Sequence, residues 1–339
     1  MARPPAGLAI NQVAINRSNA RRSLLDCAVA SRGSTQHQAH RALKYEEVLD
    51  LPRLTVLMPV HNAAPYVSRA VKSTLAALPK DSELAILDDA STDETPQVLA
   101  TITDPRLSLR RESQGLGVAG ALQRLMSTTD SEFVGRMDAD DVCMPHRFRQ
   151  QLSAFEGDAP AIVFSSAIHI DRRGLPIGMA APIPLSREAV PLHLLATNVL
   201  VHPTMTGRRA ALADVGGYAD TIAEDYELWL RLVAHGHSIQ QLALPGILYR
   251  IHASQTSRDK EWLRASVDDA LMESYRHAVA HELGIEVDAV GASESSADGA
   301  FASLRAVDRE RVRRGILESA QRLSASQARY VARRLGRSA

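Results

Sequence analysis

From Leu54 onward, short apolar runs alternate with stretches in which apolar residues recur every three or four positions. The first run, Leu54 to Val60, is almost wholly apolar and gives way to His61-Asn62, which predicts a buried strand followed by a loop. Tyr66 to Leu78 has helical spacing. Leu84 to Leu87 predicts a second strand, ending in Asp88-Asp89, and Thr95 to Ile102 a second helix. Leu107 to Leu109 reads as a third strand and Val118 to Met126 as a helix. Phe133 to Met137 reads as a fourth strand that runs into Asp138-Ala139-Asp140-Asp141. Strands and helices alternating at this spacing predict an α/β fold with a mostly parallel sheet covered on both faces.

The pattern continues with a helix from Pro145 to about Phe155 and a strand from Ala161 to Ile170. Residues 171–200, rich in Pro and Gly, read as irregular. Tyr226 to Ala234 carries apolar residues at 226, 229, 230 and 233, a helical stripe. His235-Gly236-His237 reads as its end, with Gly236 near the C-cap. Ile239 to Ile251 is extended but interrupted by Pro245-Gly246, and the chain turns helical after about Gln255. Gly291 to Gly299 reads as a flexible loop. Residues 1–50 lack strong periodicity apart from a short helical stretch near Leu24 to Val29. The expected organisation is an N-terminal extension over 1–50, one α/β domain over 51–257 and a C-terminal helical region over 258–339.

The composition fits a globular protein of 339 residues, 45% hydrophobic and 23% charged. Cys27 and Cys143 lie too far apart for a zinc knuckle or a disulfide framework, which favours a reducing compartment. A formal net charge of +0 gives no reason to expect nucleic acid as a partner. Charge is nevertheless uneven: residues 305–339 hold ten arginines against three acids. That excess reads as a solvated helical face or as a contact with an anionic membrane surface. The sequence contains no run of the ~20 apolar residues that a membrane span needs. It also lacks an apolar stretch with a small-residue cleavage site near the start. The expectation is a cytoplasmic protein, with peripheral contact at the inner face of the membrane as an open reading.

Two acidic clusters follow predicted strands, Asp88-Asp89 and Asp138 to Asp141, and so fall on one edge of the sheet, where open α/β sheets bind ligands. Carboxylates one residue apart can turn toward one hard cation, Mn²⁺ or Mg²⁺, that keeps positions open for phosphates. A turn and a helix cap before Pro145 would also use Asp, and Asp141 suits that role.

These segments carry a resemblance. Pro59-Val60-His61-Asn62, Leu87 to Asp93, Gln114-Gly115-Leu116-Gly117 and Arg136 to Asp141 with Pro145, Arg147 and Gln151 resemble, in order, the motifs of family 2 glycosyltransferases. His202-Pro203-Thr204, Gly216-Gly217-Tyr218, Glu224 to Leu232 and Tyr249 to His252 are similar to the family's acceptor-side segments. The likeness spans about Leu54 to Ser257. It implies the GT-A fold, a nucleotide-diphosphate sugar donor, a glycan or lipid-linked acceptor, and inversion at the anomeric carbon.

By that resemblance Pro59, Val60, Asn62 and Gly117 line the donor pocket, and Asp88 or Asp89 accepts a hydrogen bond from the base. Uridine is favoured. Arg136 would reach a donor phosphate, or else form an ion pair. Asp140 would bind metal, and Asp138 metal, ribose or sugar. His252 would complete the metal or diphosphate site. Asp225 would be the general base. Helix-start chemistry competes here, because Thr221-x-x-Glu224 also reads as a capping box. Trp229 reads as core or as an acceptor wall. The C-terminal helices are also where a homo-oligomer could form. Two other functions fit the same fold: a nucleotidyltransferase, which would need basic residues after the first strand where His61 to Pro65 has none, and a non-catalytic nucleotide-sugar-binding partner.

Overall fold

The computed structural model describes residues 51–179, 184–196, 198–221, 223–252 and 270–283. The expectations for 1–50, for Gly291 to Gly299 and for the arginine-rich segment 305–339 lie outside the described residues. Every described element belongs to the unit Pro52–Ala339.

Four strands form the first half of the sheet: β1 (Leu54–Val60), β2 (Ser82–Asp89), β3 (Leu107–Glu112) and β4 (Phe133–Arg136). They lie in the order β3-β2-β1-β4 and pair in parallel. Their crossovers carry helices α1 (Val67–Ala77), α2 (Thr95–Ala100) and α3 (Gly117–Ser127). Parallel strands need such crossovers, which cover both sheet faces and explain the unbroken apolar run of β1. Leu54, Val56, Met58 and Val60 pack into one core with α1, whereas Leu57 faces the other core with Leu122 and Leu125 of α3.

Beyond β4 the sheet becomes mixed. The elements that follow are β5 (Val142–Cys143), α4 (Arg147–Ser153), β6 (Ile162–Ile170), β7 (Pro176–Met179), α5 (Ala189–Ala196) and a single 3-10 turn, His202–Thr204. Then come β8 (Thr206–Arg208), α6 (Arg209–Asp214), α7 (Glu224–Ala234), β9 (Ile239–Arg250) and α8 (Ala270–Glu282). The order continues β4-β8-β6-β9-β5, with β7 on β6. β8 runs antiparallel to β4 and β6, and β9 runs parallel to β6 and antiparallel to β5. The parallel expectation thus describes β1 to β4, and shorter antiparallel pairings extend it.

Residues 171–200 are more regular than their composition suggested. α5 has the sequence AVPLHLLA, buried at Val190, Leu192, Leu194 and Leu195, so it has no polar face to reveal a helical period. Pro191 is tolerated because it lies in the first turn. Pro245-Gly246 does not end β9. The pairing with β6 shifts register near Ser166, and a Cβ on Gly246 would lie 2.0 Å from Ser165 Oγ. Gly236, at φ +80, closes α7 as expected, with the His237 N–H reaching the Leu232 carbonyl at 2.9 Å.

α7 also buries a charge pair. Glu227 is 0% exposed, and its two carboxylate oxygens accept Arg231 Nε and Nη2 at 2.8 Å each. Arg231 further donates to the carbonyls of Val215 and Gly217, fixing the loop before the helix. Removing one partner of such a pair strands a buried charge. Glu227→Ala is therefore expected to destabilise the fold by about 3–5 kcal/mol, read as a lower denaturant midpoint in chemical unfolding.

Candidate active site

The parallel register sets Val60 level with Asp88 and Leu57 level with Arg136, so the loops after β1, β2 and β4 emerge at one edge. The first two loops are interlocked. Asn62, at φ +48, accepts the Thr92 and Asp93 N–H groups on its Oδ1 at 2.8 and 3.3 Å, and its own N–H reaches Ser91 Oγ at 3.0 Å. His61 Nδ1 donates to the Asp89 carbonyl at 2.7 Å, and its Nε2 faces Asn62 Nδ2 at 3.0 Å. Ala90 sits at φ +55, a left-handed position that costs a non-glycine residue about 1–2 kcal/mol.

Asp88 and Asp89 are both buried, at 1% and 6% exposure. Asp88 accepts the Ser91 N–H at 3.0 Å and pairs with Arg111 Nε at 3.2 Å. Asp89 accepts the N–H groups of Leu116 and Gly117 at 2.7 and 2.9 Å, drawing the Gly-rich loop against β2. Gly117 enters α3 at φ +72, which favours glycine. Nothing in the local sequence marks Arg111 as part of this site. Only the β2–β3 register, which sets it opposite Asp88, reveals it. Of the residues expected to line this side, Asn62 is exposed, Pro59 is half-buried and Val60 has its side chain in the core. Val60 can therefore offer only backbone to a ligand.

The second acidic cluster is built by β9 returning beside β5. One carboxylate oxygen each from Asp138, Asp140 and Asp141 lies within 4.8 Å of the others. The two-residue pairing of β5 with β9 brings His252 Nε2 to 2.7 Å from Asp140 Oδ2. Arg250 donates its N–H to Asp141 Oδ1 and its Nε to the Asp140 carbonyl, both at 2.7 Å, and stacks over Tyr66 at 4.5 Å. Burial pushes the Asp138 and Asp141 carboxyls above the usual range. Asp138 and Asp140 add to the rise at Asp141, and Asp140 to that at Asp138, against the pull of Arg136. Asp141 Oδ2 is buried and has no hydrogen-bond partner among the described residues. Clustered hard oxygens, one of them orphaned, with an imidazole beside them, suit a hard divalent cation.

Arg136 is 5% exposed and pairs with Asp138 at 2.7 Å. The ion pair that the sequence offered as the alternative to a phosphate contact is thus present, and it is buried rather than on the surface. Burial alone would lower the Arg136 pKa, but the charge and hydrogen bond of Asp138, with the charge of Glu224, act against that and raise it. Arg147 and Gln151 are scaffold. Arg147 Nη2 donates to the Arg136 carbonyl at 2.7 Å, and Gln151 Nε2 to the Thr204 carbonyl at 2.6 Å.

Asp225 stands at the start of α7. Its Oδ2 accepts Asn198 Nδ2 at 2.9 Å and its Oδ1 the Tyr226 N–H at 2.6 Å. Burial raises its carboxyl, opposed by the Tyr226 N–H, Arg136 and Asn198. Burial, then the charge of Asp225, pushes Glu224 up to about 7. The capping box does not form. The N-cap is Ala223, and Thr221 Oγ1 has no hydrogen-bond partner among the described residues. Trp229 is core, edge-on to Phe164 at 4.9 Å.

Residues 55–216 match the family model Glycosyl transferase family 2. They form a family 2 glycosyltransferase domain. A glycosyltransferase of Haemophilus influenzae is 26% identical over 65% of this chain and 82% of its own length. The Escherichia coli enzyme UDP-Glc:alpha-D-GlcNAc-diphosphoundecaprenol beta-1,3-glucosyltransferase is 24% identical over 61% and 80%. Residues 1–349 of TarS from S. aureus, solved with UDP-GlcNAc, share the fold at a TM-score of 0.55 and 14% identity, covering 84% of this chain and 89% of that one. The fold is therefore GT-A. Asp225, Arg250 and His252 lie beyond the matched span of this glycosyltransferase domain, so their roles rest on geometry.

Proposed function

We propose that the protein transfers a sugar, with inversion, from a nucleotide-diphosphate donor to an acceptor hydroxyl. A UDP-sugar is the favoured donor, in keeping with the E. coli relative and with the TarS complex. The acceptor is a glycan or a lipid-linked glycan of a bacterial cell-surface polysaccharide; the E. coli relative's name gives a diphosphoundecaprenol-linked GlcNAc. No helix among the described residues is long and apolar enough to cross a membrane. A lipid-linked acceptor would be met at the cytoplasmic membrane surface, where the arginine excess of 305–339 favours anionic headgroups.

One observation carries this reading. Arg136 pairs with Asp138 at 2.7 Å, its backbone N–H meets the Met205 carbonyl just after the 3-10 turn, and His202 of that turn lies 3.7 Å from Glu224, so one short segment joins the acidic cluster after β4 to the acids of α7. The donor's diphosphate and the acceptor's hydroxyl then have adjacent places. Asp138, Asp140 and His252, with the Asp141 oxygen beside them, would hold Mn²⁺ or Mg²⁺. When bound, the ion offsets charge on the departing diphosphate. Asp225 takes the acceptor proton, and its raised proton affinity suits it to that task. A single inverting displacement needs no carboxylate nucleophile, unlike a retaining glycosidase.

A panel of UDP, GDP, TDP and CDP, each with and without Mn²⁺, tests the donor. UDP with Mn²⁺ is expected to raise the melting temperature most. At one hundred times Kd the gain corresponds to about 2.7 kcal/mol. No shift with any nucleotide would remove the donor site and favour a role without transfer.

A further inference from the structure

Behind the acids of α7 lies a set of buried groups that the transfer chemistry leaves without a role. His202, from the 3-10 turn, has Nε2 3.0 Å from the Tyr218 hydroxyl and Nδ1 3.7 Å from Glu224 Oε1. Its ring stands edge-on to Trp229 at 5.4 Å and tilted to Tyr218 at 5.6 Å. Thr204 pins the turn through the Val201 and Ser165 carbonyls. The imidazole is therefore held in place on several sides.

Burial and the charge of Arg136 hold His202 well below its ordinary pKa, so the ring is neutral and carries a single proton. Burial keeps the Tyr218 hydroxyl protonated. Two arrangements remain. If Tyr218 donates to Nε2, the ring proton sits on Nδ1 and faces Glu224. If Nε2 donates to Tyr218, a lone pair faces Glu224, which repels the ionised carboxylate. The first arrangement turns a proton, rather than a lone pair, toward the carboxylate 3.7 Å away.

We propose that His202 is a positioning residue: Tyr218 fixes its tautomer, its Nδ1–H faces Glu224, and the charge of Glu224 is thereby set beside Asp225. The proposal rests on Asp225 being the base. The groups bearing on Glu224 are Asp225 on its own helix, Arg136 and Asp138 from the end of β4, His202 from the 3-10 turn and Tyr218 from the loop before α7. An ionised Glu224 raises the proton affinity of Asp225 by repulsion. A protonated one lowers it. The base is then stronger above the Glu224 midpoint than below it.

The test reads the protein at equilibrium and needs no acceptor. In ¹⁵N-imidazole NMR of the full chain, His202 is expected as the Nδ1–H tautomer. In ¹³C-carboxyl NMR, with Glu224→Gln identifying the signal, Glu224 should titrate near pH 7. His202→Phe keeps the ring but removes the donor, and should raise that midpoint by at least about half a pH unit. His202→Asn restores a donor on the Nδ1 side and should bring it back. An Nε2–H tautomer in the wild type overturns the proposal. So does an unchanged Glu224 midpoint in His202→Phe. If the Phe variant does not fold, the wild-type tautomer decides by itself. The base assignment fails separately, if Asp225→Asn still releases UDP from UDP-glucose at the wild-type rate.

Discussion

Asp225→Asn is expected to lower the rate of sugar transfer by ~10²–10⁴-fold while leaving UDP affinity almost unchanged. The substitution keeps the shape of the side chain. The Tyr226 N–H, now 2.6 Å from Oδ1, still has an oxygen to meet, so the start of α7 is retained. What is lost is a group able to take the acceptor's proton, together with the oxygen that accepts Asn198 Nδ2, because the amide nitrogen takes the place of Oδ2. The loops held by Asn62, Asp88 and Asp89 are untouched, which is why donor binding should survive. Stability gives a second signature. Glu224 rises from 4.5 to about 7 on folding, partly through the Asp225 charge. A carboxyl raised in the folded state contributes stability that is present below its unfolded pKa and lost as pH climbs through the folded value. Wild-type stability should therefore decline between about pH 4.5 and 7 on this account. Asp225→Asn removes both its own buried charge and that repulsion, so the variant should melt higher at pH 8. A dead enzyme that is more stable than its parent marks an acid kept for chemistry. Near-normal turnover, measured as UDP release from UDP-glucose, would remove Asp225 from the base role.

Much of this arrangement could be read in advance wherever local pattern and tertiary position coincide. β1 runs from Leu54 to Val60, as its apolar run indicated, because both its faces are covered. The placement of Asp88-Asp89 and Asp138 to Asp141 on one edge follows from parallel strands ending together. What was not readable depends on partners remote in sequence. α5 is apolar on nearly every side and shows no period. Arg111 becomes significant only once β3 is set in register with β2. Arg136 belongs to a motif, but its burial against Asp138 depends on β8 and α4 closing over β4. Motif membership also does not separate chemistry from scaffold: Arg147 and Gln151 share the acidic segment's motif and serve to hold its backbone.

The second large effect is expected at Asp140. Its Oδ2 meets His252 at 2.7 Å, and its carboxylate lies within 4.8 Å of those of Asp138 and Asp141. Asp140→Ala removes one of the three clustered carboxylates and the partner that orients His252. In Mn²⁺-containing buffer, UDP affinity should fall by about 100-fold or more, whereas metal-free UDP binding should change little. His252→Ala should have a smaller effect, because the three carboxylates remain. The metal-free protein should respond in the opposite direction. The charge of Asp140 pushes the Asp138 and Asp141 carboxyls upward, so its removal relieves a buried repulsion and should raise the melting temperature. A variant that is more stable alone, yet gains nothing from UDP with Mn²⁺, separates a strained ion site from an ordinary acidic surface. If calorimetry finds the same Mn²⁺-dependent gain in UDP affinity for Asp140→Ala as for wild type, the cation is held elsewhere and the cluster after β4 is a structural turn.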